Sequence, residues 1–106
     1  MILRRILNSV MRAAVAPYVG TVVMVRGLEE RKKVQECRGV VMGVYAYGFV
    51  VTASNGRSTF MSYVDLFIRR QTVIDGAMRR AVDMELLRLR QMEDLPDVRY
   101  ELAMAD

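Results

Sequence analysis

RKKVQECRGVVMGVYAYGFVV, Arg31 to Val51, is the stretch whose reading decides the fold. It joins a basic cluster to two β-branched runs, with Gly39 opening one run and Tyr45 four residues ahead of Phe49. Such runs read as strands, and a Gly between them marks a bulge or a sharp bend that lets a small sheet curl. Together they point to a small β-barrel with positive charge near one loop.

Working outward, Thr21 to Arg26 reads as a first strand, followed by the turn-like Gly27-Leu28-Glu29-Glu30. Lys33 to Arg38 and Val40 to Tyr45 make the second, and Phe49 to Ala53 the third. Ser54-Asn55-Gly56-Arg57 is the clearest hairpin signal, since Asn-Gly suits the two positive-φ positions of a type I′ turn. Ser58 to Tyr63 and Phe67 to Ile74 are the fourth and fifth strands, with Asp65 in the corner between them. Five short, closely spaced strands favour a closed or nearly closed barrel, because closure removes exposed sheet edges.

Helical periods flank the strands. Ile2, Leu3, Ile6, Leu7, Val10, Met11 and Ala14 recur at helical spacing until Pro17 ends the pattern. A helix this short is marginal alone, so its apolar stripe is expected to dock on the barrel. A mitochondrial presequence is the rival reading, as the segment is amphipathic, carries Arg and has no acid before Glu29. At the other end, Asp75 is the expected N-cap of a helix whose stripe is Met78, Val82, Leu86 and Leu89, with Pro96 as its stop. The expected organisation is an N-terminal amphipathic helix over 1–17, a barrel over 18–74, and a helix with an acidic tail over 75–106.

Composition narrows the function. The chain has 106 residues, one domain's length, with 53% hydrophobic residues, nine Met and no run long enough to span a membrane. It has no His, so the commonest general base and the commonest metal ligand are both missing. Cys37 is the single thiol and reads as an ordinary strand residue, able to form neither an intrachain disulfide nor a zinc site by itself. Ser62, Tyr63 and Asp65 resemble a catalytic cluster, but with no base nearby Asp65 is expected to bond local backbone at the strand corner. No Gly-rich phosphate loop or metal-ligand spacing is present in the sequence. Neither an enzyme nor a cofactor is expected.

The net charge of +4 divides unevenly. Residues 1–74 hold eleven Arg or Lys against four Asp or Glu, a balance of +7, whereas 75–106 hold five against eight, a balance of −3. A basic body attracts phosphate or an acidic partner. Arg31, Lys32 and Lys33, joined by Arg26, Arg38 and Arg57, are the candidate contact residues, with Glu29, Glu30 and Glu36 partly neutralising them. Among the aromatics, Phe49 and Phe60 are expected in the core, and Tyr47, at a turn, is the candidate for stacking on bases.

The same residues carry a family resemblance. Val19-Gly20, Arg31-Lys32-Lys33, Glu36, Gly39-Val40, Tyr45 and Phe49-Val50-Val51, then Ser62-Tyr63-Val64-Asp65-Leu66, resemble the Veg family of small bacterial proteins. The likeness runs from Tyr18 to Ile74. It departs from the family at Ala46, where Pro is usual, at Glu29 and Glu30, where Gly or Asn is usual, in a shorter hairpin, and in residues 75–106, which have no counterpart. The resemblance implies an SH3-like barrel and a cytoplasmic, non-enzymatic regulatory or adaptor protein linked to biofilm formation, acting by contact with a protein partner. RNA or single-stranded DNA binding through the basic barrel face is the second expectation. Homodimerisation through Met78, Val82, Leu86 and Leu89 is a third, because an undocked stripe must be buried against something.

Overall fold

The computed structural model describes residues 2–28 and 34–92. Helix α1 (Ile2–Val15) leads through a short 3-10 turn (Ala16–Tyr18) into strands β1 (Val22–Leu28), β2 (Val34–Val44), β3 (Gly48–Thr52) and β4 (Ser58–Ser62). A one-turn helix α2 (Tyr63–Phe67) precedes β5 (Gln71–Gly76) and the final helix α3 (Arg79–Met92). The strands form one antiparallel sheet in the order β4-β3-β2-β1-β5.

The sheet coils for reasons local to β1, β2 and their neighbours. Met42 is an extra residue where the β2–β3 register shifts between Val41 and Gly43, and a second shift sits between Met24 and Val25 against β5. Each irregularity adds twist. Gly39, expected to mark a bulge, stays in register with β1 and is instead a point of close approach, where a Cβ would run into the Thr52 carbonyl of β3. Only glycine lets the two strands bend that tightly.

Coiling stops short of closure, so of the closed or nearly closed barrel expected, the closed form is not what the sheet makes. β4 and β5 are the two edges, and no backbone pairing joins them. The side-chain amide of Gln71 lies in the seam: Ser62 N donates to its Oε1 at 2.9 Å, and its Nε2 donates to Phe60 O at 3.1 Å. One side chain thus takes up backbone groups of β4 that no strand pairs.

Two corners also differ from expectation. The β3–β4 hairpin is not type I′. Gly56 alone in that loop takes positive φ, 83°, and Gly56 N donates to Ala53 O at 2.9 Å, so the loop is a three-residue turn ending in a left-handed Gly. Residues 63–67, expected to join strands, form α2. Ser62 caps it, accepting from Asp65 N at 3.4 Å, and Asp65 O accepts from Arg70 N at 2.9 Å, so Asp65 serves the corner through its backbone.

A single core runs through all of these elements. α1 contributes Leu3, Leu7, Met11 and Val15, the sheet Val23, Val25, Val41, Phe49, Val51, Met61 and Val73, and α2 Tyr63, Leu66 and Phe67. Met78, Val82, Leu86 and Leu89 complete it, all at most 5% exposed. The stripe expected to meet a second copy is therefore covered by the chain's own helices and strands, and the apolar side chains α3 leaves in solvent are Met84 and Leu87. Arg90 fastens α3 to α2, donating to Leu66 O and Phe67 O at 3.2 Å with its guanidinium 5.9 Å from the Phe67 ring centre. Asp75, the expected helix cap, ends up in β5, where its Oδ1 accepts from Gly76 N.

Candidate functional site

Strand alternation sends Arg26, Glu36 and Arg38 to the outer face of the sheet, opposite the buried Val23, Val25 and Val41. Arg26 and Glu36 are cross-strand partners. Arg26 Nε and Nη2 donate to Glu36 Oε1 at 3.1 and 2.6 Å, with both side chains about half exposed, so this guanidinium is already neutralised. A pair in such a setting contributes at most about 1 kcal/mol.

Arg38 and Arg57 behave differently. Neither has an ion-pair partner among the described residues, and the hairpin brings both to the rim of one shallow depression of about 200 Å³, shared with Glu36, Cys37, Ala53 and Asn55. Tyr47 is exposed as expected, at 71%, but it stands at the opposite end of β3 from Arg57. The basic triplet Arg31, Lys32 and Lys33 lies outside the described residues, together with Glu29 and Glu30. Of the seven candidate contacts, the fold thus unites Arg38 with Arg57, engages Arg26 elsewhere and sets Tyr47 apart. Cys37, a free thiol, pairs with Val25 across β1 and β2 and packs its half-buried side chain against the core.

The aromatics split between inside and outside. Phe49 is fully buried with its ring centre 6.4 Å from that of Tyr63, whereas Phe60, expected in the core, faces solvent at 49% because it lies one residue out of phase with the buried Met61. Tyr63 O–H donates to Tyr45 O at 2.9 Å, tying α2 to the β2–β3 turn. Burial pushes the Tyr63 pKa up to about 12, against an opposing pull from the Arg12 guanidinium.

Two surfaces were not legible as sites in the sequence. The first is apolar: Val22 (53% exposed) and Met42 (61%) stand with Val40 and Thr52 around a groove of about 530 Å³ bordered by Arg38. The register explains it, since Val22 faces Val40 and Val40 faces Thr52 in one outward row, which the bulged Met42 overhangs. The second is polar. Arg5, Asn8, Ser9 and Arg12 of α1 face Ala46 and Tyr47 across a groove of about 500 Å³. Their spacing of three and four residues is the signal the sequence carries for this face. Among the described residues no group of three or more His, Cys, Asp or Glu is placed to hold a metal ion, and no helix is long and apolar enough to cross a membrane.

Against known proteins, a family model described as biofilm formation stimulator VEG matches residues 6–71. No curated protein and no solved structure matches the chain.

Proposed function

The chain belongs to the Veg family, biofilm formation stimulators, and from that premise we propose that it is a non-enzymatic, cytoplasmic regulatory protein that acts on biofilm formation by binding another protein. The outer sheet face supports this reading. Val22 and Met42 are large apolar side chains left in solvent beside Arg38, which has no carboxylate partner among the described residues. A patch of that kind suits a protein segment that sets apolar side chains next to an acidic one. A partly open SH3-like barrel belongs to the same reading: a five-stranded antiparallel sheet whose unpaired edges are bridged by Gln71 supports it.

The test is complementation. Loss of the gene is expected to reduce biofilm mass, wild-type protein to restore it, and a folded Met42→Asp, Arg38→Glu variant to fail. Unchanged biofilm after gene loss overturns the regulatory role. Full rescue by the variant overturns the outer face as the contact.

Binding of RNA or single-stranded DNA through the basic face is a second reading, favoured by the depression that Arg38 and Arg57 share. Counterion release then makes affinity fall log-linearly with salt, and Arg38→Ala with Arg57→Ala lowers that slope. A salt-independent affinity removes this reading.

A further inference from the structure

We propose that the groove between α1 and the β2–β3 turn binds a nucleotide, its phosphates held by Arg5 and Arg12 and its base stacked on Tyr47. The site is built by periodicity. Positions 5, 8, 9, 12, 13 and 16 form one stripe of the N-terminal helical segment, beside the stripe of Leu3, Leu7, Met11 and Val15 that anchors it in the core. Docking one stripe therefore aims the other at Ala46 and Tyr47. Arg5 and Arg12 are two turns apart, roughly 10 Å along the axis, so they address separate charges on one ligand.

Three properties of the groove select the ligand. It is cationic: α1 contains no acid, and neither Arg5 nor Arg12 has an ion-pair partner among the described residues. It is roomy, at about 500 Å³, because Ala13, Ala16 and Ala46 line it with methyl groups. It also presents an aromatic face, since Tyr47 lines it and is 71% exposed. A bare phosphate satisfies the guanidinium groups but leaves the Tyr47 face without a partner. A nucleotide supplies both needs: anionic oxygens for Arg and a π face for Tyr47. The pocket size falls within the range of about 300–1,000 Å³ usual for small-ligand sites.

This chemistry is shared by a free nucleotide and by a unit of single-stranded RNA, so the experiment separates the two sources. Isotope-labelled full-length protein is titrated with ADP, with a short oligoadenylate and with inorganic pyrophosphate, following backbone amides by NMR. Saturable shifts centred on Arg5, Ser9, Arg12 and Tyr47 are expected with ADP or the oligomer. Binding of the oligomer alone identifies an RNA chain as the source, and binding of ADP identifies the free nucleotide. Arg5→Glu is expected to weaken binding about tenfold, from the loss of a charge-assisted contact. Tyr47→Ala is expected to weaken it about fivefold or more, while Tyr47→Phe keeps it, since stacking needs only the ring. Arg4→Glu, on the same helix but outside the groove, is expected to bind like wild type. Arg5 and Tyr47 are exposed, so these variants leave the core intact, and spectral dispersion verifies it. The proposal is overturned if neither nucleotide ligand shifts the groove, if pyrophosphate binds as tightly as ADP, or if Arg4→Glu weakens binding as much as Arg5→Glu.

Discussion

Gly39 and Tyr63 show how single residues set this fold. Gly39 sits where β2 passes so close to β3 that a methyl group would meet the Thr52 carbonyl and the Ala53 amide nitrogen, both backbone and neither able to swing aside. Gly39→Ala is therefore expected to cost roughly 1–3 kcal/mol, as overpacking does, read as a drop in the denaturant midpoint at constant m-value. An unchanged midpoint would mean the two strands can separate freely at that point. Tyr63 is the converse case, a large side chain whose one polar atom is satisfied by the Tyr45 carbonyl. Its raised pKa makes stability pH-dependent in the alkaline range. The unfolded chain loses the phenolic proton near pH 10 while the folded chain holds it to about 12, so stability is complete below about pH 10 and declines as pH rises towards 12. Tyr63→Phe is expected to remove that part of the decline and to cost about 1 kcal/mol at neutral pH from the lost hydrogen bond. Denaturation curves of the two proteins, compared across that pH range, check both effects.

At the scale of elements, the seam between β4 and β5 is the informative place. A row of unpaired backbone groups invites pairing with another chain, and Gln71 blunts it by taking up Ser62 N and Phe60 O. Gln71→Leu keeps the bulk and removes both bonds. It is expected to cost about 1–2 kcal/mol and to speed hydrogen exchange at the Ser62 amide while leaving β1 and β2 amides protected. Exchange that rises evenly over the whole sheet would instead mean the seam opens only with global unfolding. The helices are secured in a comparable way, by few but specific contacts: Ser62 at the start of α2, and Arg90 across the last carbonyls of α2 from α3. The Arg90 bonds join residues 23 and 24 positions apart in sequence, whereas the Ser62 cap spans three residues and is a local signal for α2.

For the molecule as a whole, α1, the sheet, α2 and α3 share one core, so the C-terminal helix is structural. Removing residues 77–106 strips Met78, Val82, Leu86 and Leu89 from that core. Each such side chain is worth about 2–5 kcal/mol on truncation to Ala, against a total stability of about 5–15 kcal/mol for a domain, so the shortened chain is expected not to fold. Circular dichroism and NMR dispersion check this, and a cooperative melt of the truncated chain would show that the strands hold without α3. Much of this was already readable along the chain. β-Branched runs between Val22 and Ile74 specified strands, the 3–4 spacing in residues 2–15 and 79–92 specified amphipathic helices, and the residues around Gly39, Tyr45 and Phe49 carried the family likeness. These signals are local, because side-chain periodicity follows from backbone geometry. Partnership is not local. Whether the stripe of α3 would meet its own chain or a copy, whether the sheet would close, which way Phe60 would face, and that Arg5 and Arg12 would come to stand beside Tyr47 all depended on how elements distant in sequence pack around one core.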